Sequence, residues 1–205
     1  MKRPVILVTG FGAFPGAPRN PTELLMRDLA VLEGRLGRLG VTLERRVLPV
    51  VYNEIAPRLK SLIEETAPDM ILHFGLAGRR HKISIETRAV NRINALRPDA
   101  AGRWAKNRAV IQGHSAFMKR ALVPVQRLNA VLWQAGIASA LSIDAGDYVC
   151  NQTLYLSLAM AEGTGRAVGF VHVPRFKAKA LLKAASLLIV SSLPDLHRQV
   201  ISPHK

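Results

Sequence analysis

The 205-residue sequence predicts an α/β domain with a largely parallel sheet and helices on both faces. Apolar, β-branched runs alternate along the chain with stretches of helical apolar spacing. Glycine- or proline-bearing segments fall at or near the predicted strand ends: Gly10-Phe11-Gly12, Gly75-Leu76-Ala77-Gly78, the turn from Gly146 to Cys150, and His172-Val173-Pro174. In open α/β sheets the site lies at the carboxyl ends of the strands. A hydrophobic content of 49% supplies the core that such a sheet needs.

The elements follow in order. Residues 5–9 are a β-branched run ending at Gly10, as in a buried strand. Asn20 as N-cap and Pro21 at the first helical position open a helix over 21–36. Residues 41–50 alternate apolar and polar, as a half-buried strand does. Residues 52–66 place Ile55, Leu59, Leu62 and Ile63 on one helical stripe, with Pro57 near its start. After Pro68-Asp69, residues 70–74 form another buried strand, and 82–90 alternate again. Residues 92–124, with Pro98, Gly102 and Gly113, carry no periodicity. A stretch that long in a compact domain predicts a lid or an assembly segment. A helix over 127–134 ends at Gly136. A strand over 138–143, a helix over 152–161, a strand over 169–174 and a helix over 177–191 complete the chain. No internal repeat or low-complexity linker interrupts it, so one domain spans 1–205.

Composition excludes several classes. No apolar run reaches membrane-spanning length. Met1-Lys2-Arg3 and the apolar run after it meet Gly10 and Pro15 too early for a secretory leader, which predicts a cytoplasmic protein. One cysteine excludes an intrachain disulfide and a multi-cysteine zinc site. The formal net charge of +15 raises nucleic acid as a partner. The charges are scattered, however, and aromatic residues make up only 5%, few for a base-stacking platform. A basic binding protein without enzymatic activity is the alternative that this charge keeps open.

Gly10-Phe11-Gly12-Ala13-Phe14-Pro15-Gly16 follows the first strand as a dinucleotide fingerprint would. Pro15 stands where the third glycine belongs, and Pro15 and Pro18 forbid the helix that should open there. The segment instead reads as a rigid loop presenting Phe11 and Phe14, with plain core packing as the alternative for both rings.

The chemistry centres on Cys150, in Asp144-Ala145-Gly146-Asp147-Tyr148-Val149-Cys150-Asn151. It lies near a strand-to-helix turn, where a helix N-terminus stabilises a thiolate. A lone cysteine is otherwise a small buried hydrophobe. Twenty-two residues on, His172 stands in the apolar run Gly169-Phe170-Val171-His172-Val173. A Cys and a His at the ends of neighbouring elements suggest nucleophilic catalysis, which needs a third group to orient the imidazole. Glu86, Asp69, Asp144 and Asp147 are candidates, and spacing does not choose among them. A carboxylate as close as Asp144 or Asp147 disfavours a thiolate.

These segments, with Val8-Thr9-Gly10-Phe11, Asn20-Pro21-Thr22, Gly75-Leu76-Ala77-Gly78-Arg79 and Ile85-Glu86, fall in the order and spacing of the pyroglutamyl peptidases. The resemblance covers nearly the whole chain from Val5. It implies a three-layer α/β/α globule on a largely parallel mixed sheet, often assembled as a homo-oligomer, a tetramer or dimer. It implies a cysteine omega-peptidase that removes N-terminal pyroglutamate from peptides without metal or cofactor. Cys150 matches the nucleophile, His172 the base and Glu86 the orienting acid.

The resemblance also implies a substrate site that includes Phe11, Phe14, Tyr148, Asn20, Leu76 and Arg97, with the two phenylalanines enclosing the lactam. Many bacterial members carry Gln at the position of Leu76. Their Ala-Arg-Ile-Pro-Asp run is replaced by Ala95-Leu96-Arg97-Pro98-Asp99, with Arg97 one residue late. Asp147 stands where Thr is common, and Gly12-Ala13 replaces Glu-Pro. These departures leave open a related hydrolase acting on another blocked N-terminus or small amide.

Overall fold

The apolar run that begins the chain becomes β1 (Val5–Phe11), buried from Ile6 onward. There follow α1 (Pro21–Asp28), a 3-10 turn (Leu29–Leu32), α2 (Glu33–Arg38), β2 (Thr42–Leu48), α3 (Tyr52–Thr66) and β3 (Met70–Leu76). Next come β4 (Ile83–Glu86), β5 (Arg88–Val90), β6 (Met118–Arg120), α4 (Val125–Gln134), β7 (Ser139–Ser142), α5 (Val149–Met160), β8 (Ala167–Val173) and α6 (Ala178–Ile201). The computed structural model describes residues 3–94, 97–105, 107–113 and 116–201, with side chains through residue 196 of the last helix. Among these residues, no helix is long and apolar enough to cross a membrane.

Six strands form one sheet in the order β2-β1-β3-β8-β4-β7. The first four are parallel, β4 runs antiparallel to β8, and β7 is parallel to β4. Successive strand residues point to opposite faces. Ile6, Val8, Leu72, Phe74 and Val171 therefore pack on one side with residues of α1, α4 and α6. Leu7, Ile71, Val168 and Phe170 pack on the other with α3 and α5. The result is three layers, α/β/α, on a mixed and mostly parallel sheet. β5 and β6 form a separate antiparallel ribbon that packs against α5.

Several elements differ from expectation, and the last helix, expected over 177–191, runs on to Ile201. The helix predicted over 21–36 is two helices joined by a 3-10 turn. At three residues per turn, that tighter winding brings Leu29 and Leu32 onto one line, and both are buried. The strand predicted over 82–90 changes partners at Thr87. The Thr87 N–H donates to the Ser142 carbonyl, while its own carbonyl accepts from Ala121 N–H. β4 thus belongs to the main sheet and β5 to the ribbon, although the alternation runs on unbroken. The irregular stretch 92–124 contains β6 and a bridge between Ile93 and Arg108. The helix predicted from 152 starts at Val149, which places Cys150 inside its first turn.

Candidate active site

The loop leaving β7 turns at Gly146, whose φ of 79° lies in the left-handed region that glycine enters without steric cost. Asp144 Oδ1 accepts the Gly146 N–H at 2.8 Å and fixes that turn. The chain then enters α5 through Tyr148 as N-cap, so Cys150 is its second helical residue. N–H groups there have no partner within the helix, and the positive end of the helix dipole favours an anion. Cys150 is half-buried over Gly75 of β3. A Cβ added at Gly75 would lie 3.0 Å from Cys150 Sγ and 2.6 Å from Phe170 Cζ, so only glycine leaves room for both.

Gly75 pairs with His172 of β8, which brings the imidazole to the thiol. The antiparallel register sets Ser84 opposite His172 and Glu86 opposite Phe170. Glu86 is therefore the diagonal neighbour of His172 on one face, within reach of a long side chain. Its Oε1 lies 2.7 Å from His172 Nδ1. Arg80 Nη1 donates to the same oxygen at 2.7 Å, and Arg80 Nη2 donates to the Asp144 carbonyl at 2.7 Å. Glu86 is 0% exposed, and a carboxylate that deeply buried needs such partners. Burial by itself lowers the His172 pKa. The charge that Cys150 carries as a thiolate and its hydrogen bond, then the Glu86 hydrogen bond and charge, outweigh burial and hold the imidazole at about 9.

Asp69 and Asp144 are engaged elsewhere. Asp69 accepts from Val5 N–H at 2.8 Å, at the start of β1. Asp144 holds the Gly146 turn, and Asp147 borders a cleft beside it. Of the four candidates, Glu86 is the one hydrogen-bonded to His172.

That cleft, of about 640 Å³, is lined by Phe14, Leu76, Arg97 and Tyr148 together with Asp147 and further arginines. The Phe14 and Tyr148 rings are 6.2 Å apart. The Arg97 guanidinium lies 4.6 Å from the Tyr148 ring centroid and 5.2 Å from that of Phe14. Tyr148 is anchored by a 2.9 Å bond from its hydroxyl to the Pro98 carbonyl, and burial pushes its pKa up to about 12. A second depression of about 680 Å³, between β6 and the end of α5, holds none of these groups.

Two expected site residues fall elsewhere. Phe11 is still in β1 and shares the pleat of Leu7, so its ring points into the core, 6.2 Å from that of Phe170. Asn20 is buried as the cap of α1. Its Oδ1 accepts from Thr22 N–H at 3.1 Å and its Nδ2 donates to the Gly12 carbonyl at 3.0 Å. Both brace the loop that carries Phe14 and do not line the cleft. Leu96 lies outside the described residues.

Three residues have roles that the sequence does not convey. Gly75 provides the space under the thiol. Arg80, signalled only by the Arg79-Arg80 pair after a strand end, neutralises Glu86. Asn151, next to Cys150 and fully buried, accepts from Val90 N–H at 2.9 Å. It also donates to the Val90 and Arg92 carbonyls at 2.8 and 2.9 Å, tying the ribbon to the Cys150 helix.

A thiol in a helix first turn, beside an imidazole backed by a buried carboxylate on a mixed α/β/α sheet, defines a protein of the cysteine-hydrolase class. The family model for pyroglutamyl peptidase matches residues 4–197. Over 171 residues the chain is 38% identical to the pyrrolidone-carboxylate peptidase of Pyrococcus furiosus, covering 82% of this chain and 80% of that one. Over 199 residues it is 31% identical to the pyrrolidone-carboxylate peptidase of Thermococcus onnurineus, covering 96% of each. The crystal structure of pyrrolidone carboxyl peptidase from Pyrococcus furiosus matches it with a TM-score of 0.87 at 32% identity, over 94% of this chain and 99% of that chain. The chain belongs to the pyroglutamyl peptidase family of cysteine peptidases.

Proposed function

We propose that this protein hydrolyses the bond after an N-terminal pyroglutamyl residue of peptides, with Cys150 as nucleophile, His172 as general acid and base, and Glu86 as the group that orients His172. The observation that carries this reading is the 2.7 Å bond from His172 Nδ1 to Glu86 Oε1 beside the Cys150 thiol. With Nδ1 held by the carboxylate, Nε2 is the nitrogen that exchanges a proton with sulfur. The thiolate adds to the pyroglutamyl carbonyl, and the first N–H groups of α5 stabilise the oxyanion. The C–N bond breaks as His172 protonates the leaving amine. His172 then takes a proton from water, which attacks the thioester, and pyroglutamic acid leaves with the thiol restored.

The lactam is compact and uncharged, which suits the wall of Phe14 and Tyr148. A free N-terminal ammonium would lose hydration against those rings and meet the Arg97 guanidinium that lies over both. Leu76 gives the cleft an apolar wall where many relatives have Gln, and this favours one second reading: acceptance of another blocked N-terminus. A fluorogenic pyroglutamyl amide and its acetyl counterpart separate the two. Turnover of the pyroglutamyl amide, lost in Cys150→Ala, is expected; turnover surviving that substitution sinks the mechanism.

A thiol that must stay reduced fits the cytoplasm. The exposed rings Phe117 and Trp133, at 68% and 67%, fit a homo-oligomer, with the 92–124 segment as lid or assembly arm.

A further inference from the structure

The cleft carries more positive charge than the reaction requires. Arg79, Arg80, Arg97 and Arg175 all line it, and among the described lining residues Asp147 is the only acid. Arg80 is committed to Glu86, and Arg97 lies over the Tyr148 and Phe14 rings. Arg175 donates Nη2 to the Gly16 carbonyl at 3.0 Å, and a Cβ added at Gly78 would be 3.2 Å from its Nε. Among the described residues, none of Arg79, Arg97 and Arg175 forms an ion pair with a carboxylate. Cations gathered in one cleft focus a field toward an anionic ligand.

Placement decides which part of a substrate meets that field. His172 has to reach the leaving amine, so the peptide beyond the scissile bond departs on the His172 side. The strand that bears His172 continues through Val173 and Pro174 to Arg175. The Ala77 N–H donates to the Val173 carbonyl at 2.9 Å, which holds Gly78-Arg79 alongside that continuation. The uncharged lactam takes the rings of Phe14 and Tyr148. We propose that Arg79 and Arg175 form a carboxylate subsite for the leaving peptide. The protein then prefers pyroglutamyl peptides with a carboxylate in the first positions after the scissile bond, either an acidic side chain or the C-terminus of a short peptide. This inference rests on the pyroglutamyl peptidase reading above.

The test compares kcat/KM for pyroglutamyl-Glu-Ala-amide, pyroglutamyl-Ala-Ala-amide and pyroglutamyl-Lys-Ala-amide, and for pyroglutamyl-Ala-Ala with a free C-terminus. At low salt the Glu peptide should exceed the Ala peptide, and the Ala peptide the Lys peptide, by about three- to tenfold per step, as one unit charge pair near a wet surface allows. The ratios should shrink at high salt and reside in KM, because the carboxylate is bound equally before and during the chemical step. A gain for the free acid over its amide assigns the C-terminal carboxylate as a second source. Arg79→Gln and Arg175→Gln should each pull the Glu/Ala ratio toward one. Arg58→Gln, which removes an exposed charge of α3 outside the cleft, should leave the ratio alone. Equal kcat/KM for all four peptides, or an equal effect of Arg58→Gln, overturns the arginine subsite while the peptidase reading stands. Turnover of none of the four overturns the peptidase reading, and this inference with it.

Discussion

His172 Nδ1 and Glu86 Oε1 are 2.7 Å apart because β4 runs against β8. In that register Glu86 sits diagonal to His172 on the face that α5 covers, and the carboxylate reaches back along the strand pair to the ring. Arg80 closes the arrangement from outside, with one nitrogen on Glu86 and the other on the loop that precedes Cys150.

Glu86→Gln keeps an acceptor for Nδ1–H but removes the charge that supports an imidazolium. Turnover should fall by about one to four powers of ten, the range seen when a triad carboxylate is altered. The His172 pKa should fall with it, since the Glu86 bond and charge are among the contributions that raise it. Asp144→Asn retains an oxygen for Gly146 N–H and should remain near the parent rate. An active Glu86→Gln beside a dead Asp144→Asn would move the orienting role to the Cys150 turn.

The two buried histidines of the α5 face give stability opposite pH slopes. His172 is held at about 9 against an ordinary 6.5, so the folded state binds its proton more tightly than the unfolded chain does. That contribution is full below pH 6.5 and is lost as pH rises toward about 9. His73 is the reverse. Burial lowers it to about 3, while Thr9 Oγ1 at 2.7 Å and Ser157 Oγ at 2.9 Å partner the neutral ring. Its contribution is full above pH 6.5 and is lost as pH falls toward about 3. Urea midpoints should therefore decline on both sides of a maximum near neutrality. His73→Gln should flatten the acid limb and spare the alkaline one; an unchanged acid limb would count against the buried neutral imidazole.

How much of this the sequence makes legible depends on how local each cause is. The β-branched run before Gly10, the Asn20-Pro21 cap and the strand-to-helix turn before Cys150 are written in adjacent residues, and each forms close to where it is expected. The Glu86–His172 contact spans 86 positions and exists only because β4 points opposite to β8. No spacing rule conveys strand direction, and in the sequence only family resemblance singles out Glu86. Phe11 and Phe14 look alike in the sequence, but the pleat of β1 turns the Phe11 ring into the core, whereas Phe14 lies past the end of that strand, on the loop that lines the cleft. Gly75 was visible as a strand-end glycine, but its reason, two side chains from β8 and α5 crowding one spot, is wholly tertiary.

Asn151 should matter for stability more than its position beside the nucleophile suggests. It is fully buried and makes three hydrogen bonds to the backbone of Val90 and Arg92. Asn151→Ala leaves those groups without these partners and should cost about 2–4 kcal/mol. Amide exchange at Val90 should accelerate, because its N–H is held by Asn151 Oδ1. Asn151→Asp keeps that acceptor but turns a carboxylate toward two carbonyls, and should be no better. Unchanged exchange at Val90 in Asn151→Ala would show that the ribbon is held by other contacts.

Gly75→Ala tests the geometry under the thiol directly. The new methyl would lie 2.6 Å from Phe170 Cζ, 2.8 Å from its Cε1 and 3.0 Å from Cys150 Sγ. Phe170 cannot swing clear: it is fully buried, with the rings of Phe11, His73 and His172 at 6.2, 5.9 and 4.8 Å. The sulfur, at the open end of the first turn of α5, is the group that can yield. Overpacking should cost about 1–3 kcal/mol of stability. Turnover should fall beyond what that loss explains, because displacing sulfur from the imidazole removes the contributions by which Cys150 raises the His172 pKa. That pKa should drop, and the alkaline limb of the stability profile should move down in pH with it. Phe170→Leu on the Gly75→Ala background removes the ring atoms that the methyl meets and should recover part of both stability and turnover. If Gly75→Ala is as stable and as active as the parent, the thiol does not rest over β3, and the alignment of Cys150 with His172 has to arise from the helix alone.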